Sequence, residues 1–273
     1  MANLDFDVLI DTSFSKINED PDLAPDSNKF ILSLINDYED GEWRYTKFQN
    51  FIWDNIAETA LSIKERNSLV NQSHSLLTAA AQNLRLTDKE KDISKGSELA
   101  EIVLYGIMRN HYSALPVVPK IFYKQNSQDN AKGADSVHIV LTEEGGFTLW
   151  FGEAKFYNSI EDVRLTPIIE SVENSLKTDK LKKENSIVTN VSDIEELIAE
   201  DTLRVNIINA LSPKASIDIL KPKINVPILL LHECEITNSN SSINENYLQA
   251  LSAHHVDRAR AYFKKQIDKI SDS

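Results

Sequence analysis

Three side chains in one short stretch, Asp135, Glu153 and Lys155, have the types and spacing to do chemistry. The stretch is KGADSVHIVLTEEGGFTLWFGEAKF (132–156), in which two apolar runs flank a Glu-Glu-Gly-Gly centre. Side chains alternate between the two faces of a strand, so Glu153 and Lys155 must share a face. Pairing Asp135 with Glu153 in an antiparallel hairpin centres the turn on Glu144, where a short glycine-containing loop is expected. In that register one face collects Asp135, Val137, Ile139 and Leu141 with Phe147, Leu149, Phe151, Glu153 and Lys155. The other holds Ser136, His138, Val140, Thr148, Trp150, Gly152 and Ala154.

Two carboxylates that face each other across a strand pair repel, and the repulsion is relieved by a cation or by a raised pKa. A divalent ion is one solution, because Mg²⁺ takes a few carboxylate oxygens together with water and phosphate. Lys155 adds an ammonium that can orient an attacking water or offset charge developing on a phosphate. A metal with a lysine beside it is equipment for hydrolysing a phosphodiester. The same residues can also form a structural ion pair at a strand end.

Around this stretch the sequence predicts the elements that must position it. A helix from about Ser97 to Asn110 is apolar nearly all round, as a buried helix is. Its few polar residues, Glu98, Glu101, Tyr105 and Arg109, form one stripe. Pro116 and Pro119 break the chain, and KIFYKQ (120–125) alternates as a strand. After the hairpin, Ser159 to Leu176 reads as a helix and another is expected near Asp193 to Asn209. NVPILLL (225–231) is a short apolar run of the kind found in buried strands. Tyr247 to Ile270 reads as a long helix.

Upstream, Asn28 to Tyr38, Glu42 to Leu61 and Ile63 to Leu84 carry one-face apolar patterns and are expected to be helical. The polar stretch LTDKEKDIS (86–94) is the expected junction. The organisation is thus a mainly helical region, 1–94, suited to docking a partner, and a core, 95–273, with its C-terminal helix. The fold class is α/β (α+β).

Composition limits the function further. The chain of 273 residues has 29 basic and 42 acidic side chains, a net charge of −13. That excess disfavours simple coating of DNA, which relies on many Lys/Arg–phosphate contacts. A local site can still bind nucleic acid if ions or a basic partner offset the charge. One cysteine, Cys234, excludes an intrachain disulfide and fits a reducing cytoplasm. The N-terminus has no signal-peptide pattern, and no apolar run is long enough for a membrane span.

The pattern resembles the restriction-endonuclease-like, or PD-(D/E)XK, nuclease superfamily, through Asp135 in GADS and Glu153-Ala154-Lys155 in GEAK. The αβββαβ order from Ser97 to Leu231 matches that core, with a mixed central sheet. Ala134 stands where such motifs usually have proline. More narrowly, the series KGSELAE…GADS…FGEAKFY is similar to the HamA-type subunit of the bacterial Hachiman anti-phage defence system. The resemblance implies a nuclease that cuts DNA beside a helicase subunit, HamB, which restrains it. It also implies that Asp135, Glu153 and the Ala154 carbonyl ligate Mg²⁺ (or Mn²⁺), and that Lys155 positions the attacking water. An acid from the preceding helix often joins such sites; Glu98 and Glu101 are the candidates, with Glu98 favoured.

Other clusters are less specific. His232-Glu233-Cys234-Glu235 matches no closed zinc pattern. His254-His255, with Asp257 and Arg258, reads as a solvated or partner-facing surface. Lys177, Lys180, Lys182 and Lys183 form the densest basic patch, interleaved with acids. Trp43, Tyr45, Phe48, Phe51 and Trp53 suit a helix core or an interface. No Walker-type GxxxxGK[ST] is present. Two functional classes therefore stand: a Mg²⁺-dependent deoxyribonuclease, or a catalytically silent nuclease-fold subunit that regulates a partner. A restriction or repair nuclease without a helicase is a weaker third.

Overall fold

The computed structural model describes residues 4–17, 20, 23, 28–84, 98–118, 121, 134–182, 194, 197–212 and 214–271. It is a mixed α/β structure whose chain divides into two compact units interleaved along the sequence. Among the described residues, one comprises those of Asn50–Phe156 and Ser171–Leu231, the other those of Leu4–Gln49, Tyr157–Glu170 and His232–Ser273. Among the described residues no helix is long and apolar enough to cross a membrane.

The first unit is built on a five-stranded mixed sheet. Strands β5 (Leu115–Val118), β6 (Ser136–Leu141) and β7 (Phe147–Tyr157) form an antiparallel meander. Strand β8 (Ile224–Asn225) runs parallel to β7, and β9 (Ile228–His232) also pairs with β7. The β6–β7 register is Ser136↔Gly152 through Leu141↔Phe147, as the sequence predicts. Thr142 N–H donates to the Gly146 carbonyl (3.0 Å), and Gly145 N–H to the Thr142 carbonyl (3.0 Å). Gly145 has φ +76°, the left-handed residue that a short hairpin loop of this type requires.

The two faces of this hairpin are covered differently. Val137, Ile139, Phe147, Leu149 and Phe151 pack with Leu203, Ile207 and Leu211 of helix α6 (Asp201–Leu211) and with Ile217 and Leu220 of α7 (Ile217–Leu220). Val140, Trp150 and Ala154 on the other face pack against Ala100, Leu104 and Met108 of α4 (Glu98–Tyr112). Every residue of α4 from Ala100 to Met108 is buried, in keeping with its all-round apolar sequence. Three helices, α1 (Tyr45–Ala60), α2 (Ile63–Ser68) and α3 (Ser73–Gln82), precede it. Ile56, Ala60 and Ala80 meet Ile102 in a second core. Gly106 of α4 has no room for a side chain, since a Cβ would lie 2.4 Å from Phe51 Cζ.

In the second unit, β1 (Asp7–Ser13) pairs antiparallel with β2 (Phe30–Ile35), and β3 (Tyr38–Glu39) with β4 (Glu42–Trp43). A short helix α8 (Glu235–Asn238) leads to the long C-terminal helix α9 (Glu245–Ser271). Ile35, Tyr247 and Leu251 form its core with Tyr38, Cys234 and Ile236 packed around them. Helix α5 spans Asp162–Ser175.

Several sequence expectations need correction. The segment 28–38 contains a strand where a helix was expected; its apolar run suits either period, and pairing with β1 decides for the extended form. The stretch 63–84 is two helices, because Ser62 caps α2 with a Ser62–Glu65 capping box and Asn71 adopts φ +66° between them. Among the described residues of 1–94 the α-helices lie in 45–82, after the small strands. A strand not expected from the sequence, β5, lies at 115–118 and pairs with β6. Since β5 lies at the end of the strand order, its proline costs no central ladder bond. The strand expected at 120–125 and the junction at 86–94 lie outside the described residues, apart from Ile121. Strand β9 is half-exposed throughout rather than buried.

Candidate active site

The hairpin register puts Asp135 and Glu153 at the end of the β6–β7 ladder. Asp135 N–H donates to the Gly152 carbonyl (2.8 Å), which continues the ladder one residue past β6. Asp135 Oδ2 then accepts the Ala154 N–H at 3.0 Å. On the far side of β7, Glu153 N–H donates to the Pro227 carbonyl at 3.0 Å, between β8 and β9. The backbone between the two acids is thereby held from both sides.

Lys155 lies between the carboxylates. Its ammonium is 3.6 Å from Asp135 Oδ2 and is hydrogen-bonded to Glu153 Oε1. The side chains are 17% exposed for Asp135, 5% for Glu153 and 15% for Lys155, so the cluster borders solvent but is largely enclosed. Ser171 of α5 donates a further hydrogen bond to Glu153 Oε1. Sequence reasoning missed Ser171, because its meeting with Glu153 depends on how α5 docks and leaves no periodic signal.

Gly152 explains why the motif has a glycine before the acid. A Cβ there would lie 2.2 Å from Ser136 Oγ and 2.7 Å from Leu104 Cδ2. Helix α4 thus approaches the strand end on the face opposite Glu153 and Lys155. Glu98 is half-buried in the first turn of α4, and Glu101 is buried. The far end of the polar stripe is bound to α1: Arg109 Nη1 is 3.0 Å from Glu58 Oε1, and the Tyr105 hydroxyl donates to Glu58 Oε2 at 3.5 Å. Burial drives the Tyr105 phenol well above its usual range. His138, on the α4 side of β6, is 1% exposed, and burial pushes it down to about 3.

The donor set suits a hard cation. Two carboxylates and a strand carbonyl are oxygen ligands, which Mg²⁺ and Mn²⁺ prefer. Among the described residues no group of three or more His, Cys, Asp and Glu side chains is arranged to hold a metal. Asp135 and Glu153 therefore come together with Lys155, and neither Glu98 nor Glu101 completes a triple with them.

A family model describing HamA matches residues 11–271, nearly the whole chain. The chain belongs to the HamA family. That is the narrower of the two resemblances, the one carried by KGSELAE…GADS…FGEAKFY, and it makes this HamA-family chain a component of Hachiman anti-phage defence. No curated protein and no solved structure matches it.

The other sequence clusters take structural roles in this HamA-family chain. Cys234 packs beside Ile35 and Tyr247. His232 Nδ1 donates to the Glu233 carbonyl (2.8 Å). His255 is not solvated: its Nδ1 shares a 2.5 Å hydrogen bond with Ser33 Oγ, and burial together with His232 and His254 pushes it down to about 4. Arg258 Nη1 donates to Asp162 Oδ1 (2.9 Å). Of the aromatic group, Phe51 is core, Trp43 stacks near Phe48 (5.5 Å), and Tyr45 and Trp53 are exposed. Lys177 and Lys182 are exposed, and Lys183 lies outside the described residues.

Proposed function

We propose that this HamA-family chain is a Mg²⁺-dependent nuclease that hydrolyses DNA phosphodiester bonds in anti-phage defence and is restrained by a helicase partner of the HamB kind. The observation that carries the reading is the convergence of Asp135, Glu153 and Lys155 on one face of one strand end. Asp135, Glu153 and the Ala154 carbonyl would hold the ion; Glu98, expected to join them from α4, forms no triple with the two acids among the described residues. Bound there, Mg²⁺ (or Mn²⁺) supplies Lewis acidity toward the scissile phosphate.

The chain's own groups do the rest. The Lys155 ammonium holds the attacking water and offsets the negative charge that grows on the phosphate as water adds and the sugar oxygen departs. Asp135 and Glu153 fix that ammonium in place, so it is oriented before substrate arrives. Lys177 and Lys182 offer cations to neighbouring phosphates. The net charge of −13 leaves most DNA affinity to the partner, for which residues 1–94 are the docking region.

The test is a cleavage assay on the chain co-purified with its operon's helicase, with and without Mg²⁺. Metal-dependent cutting by the wild type, lost in Glu153→Gln and Lys155→Met with the complex intact, supports the reading. One observation favours the second reading, a silent regulatory subunit: Lys155 already bridges both acids as a structural ion cluster would. Wild-type complex that cuts no DNA or RNA at any Mg²⁺ or Mn²⁺ concentration decides for it.

A further inference from the structure

Glu153 is oriented by more than its strand. Both hydrogen bonds that its carboxylate accepts among the described residues go to Oε1, one from Lys155 Nζ and one from Ser171 Oγ. A serine inside a helix usually either faces solvent or spends its hydroxyl on a carbonyl of the preceding turn. Ser175, one turn further along α5, does this: it is buried, and its Oγ donates to the Val172 carbonyl at 2.8 Å. Ser171 departs from that habit and reaches across to the sheet. Two donors on one oxygen fix the carboxylate plane and leave Oε2 as the oxygen available to an ion.

We propose that Ser171 is a positioning residue for the site, holding Glu153 Oε1 so that Oε2 is presented to the divalent cation. The inference rests on the nuclease reading above. Partners of a metal-ligating carboxylate set its orientation, and losing one typically weakens metal binding about 10–100-fold. Glycine or alanine at 171 frees the carboxylate to rotate, whereas threonine keeps the hydroxyl.

The experiment is Mn²⁺ binding to the full-length chain, followed by calorimetry and by the spin-resonance signal of free Mn²⁺, with thermal melting as the fold control. Wild type, Ser171→Ala, Ser171→Thr, Ser175→Ala and Glu153→Gln are compared. The expected result is binding that is lost in Glu153→Gln, at least about tenfold weaker in Ser171→Ala, and near wild type in Ser171→Thr and Ser175→Ala. In the partner complex, Ser171→Ala cleavage should recover as Mg²⁺ is raised. Ser171→Ala binding as tightly as wild type, while Glu153→Gln does not bind, overturns the role of Ser171 alone. Equal weakening in Ser171→Ala and Ser175→Ala also overturns it, because it marks a general loosening of α5. Wild type that binds no Mn²⁺ through Glu153 overturns the nuclease reading and this inference together.

Discussion

Asp135 Oδ2 accepts the Ala154 backbone N–H at 3.0 Å, so the acid at the head of one strand is bonded to the strand that carries the other acid and the lysine. Asp135 therefore has a structural duty besides any chemical one. Asparagine keeps an oxygen for that amide; alanine does not. Asp135→Asn is expected to melt close to wild type and to lose metal-dependent cleavage. Asp135→Ala should lose cleavage and about 1–3 kcal/mol of stability as well, from the unsatisfied amide. Urea titrations of the two variants beside the cleavage assay check this, and equal stability would mean that the amide finds another partner.

Lys155 is the counter-charge for a glutamate whose side chain is 5% exposed. Lys155→Ala leaves that carboxylate enclosed and uncompensated, which costs about 3 kcal/mol when a buried pair is broken on one side. The enclosure of Glu153 predicts a variant that is inactive and destabilised. The double variant Glu153→Gln/Lys155→Met should regain most of the stability while staying inactive. Denaturant midpoints for both variants make the comparison, and an undisturbed Lys155→Ala would show that water reaches Glu153 freely.

Two glycines of the hairpin are required for opposite reasons. Gly145 has open space around its Cα but φ +76°, so Gly145→Ala is strained by its backbone and should cost about 1 kcal/mol. Gly152 is hemmed in by Ser136 and Leu104, so Gly152→Val should push α4 away from β7 and cost about 3 kcal/mol. Melting temperatures should rank wild type, Gly145→Ala and Gly152→Val in that order.

Acid should destabilise the protein through two imidazoles, the buried His138 and the half-buried His255. His138 falls from 6.5 to about 3 and His255 from 6.5 to about 4, both chiefly through burial. Their folded values lie below their unfolded ones, so the unfolded chain binds more protons in between. The stability they confer is full above pH 6.5 and is lost progressively as pH falls toward the folded values. The loss is about 1.4 kcal/mol per pH unit for each imidazole. Melting curves should be flat from pH 8 to 7 and fall below pH 6.5, less steeply in His138→Met and His255→Gln. A melting temperature constant down to pH 5 would contradict the burial of these rings.

Much of the site was legible because a hairpin is a local, period-two object. Asp135, Glu144 and Glu153 define its register from sequence alone, and the observed pairs follow it. Helix α4 was legible for a related reason, since its apolar residues surround the axis. Residues 28–38 were not, because FILSLI is apolar enough for either period and only pairing with β1 settles it. His255 read as surface because a His-His pair in a polar helix gives no sign that Ser33 will cover it. Ser171 and the Pro227 carbonyl reach Glu153 from distant parts of the chain, and contacts of that kind leave no mark on local pattern.

The bond from Glu153 N–H to the Pro227 carbonyl also sets an order of assembly. A ribosome delivers all three charged groups well before it delivers Pro227 and the two strands that flank it. Until those emerge, the acid-bearing strand keeps one bare rim, and a prematurely terminated product ending before Ile224 keeps it permanently. Such a fragment carries every reactive group yet offers an unpaired ladder to other chains, so its expected fate is aggregation rather than stray cutting.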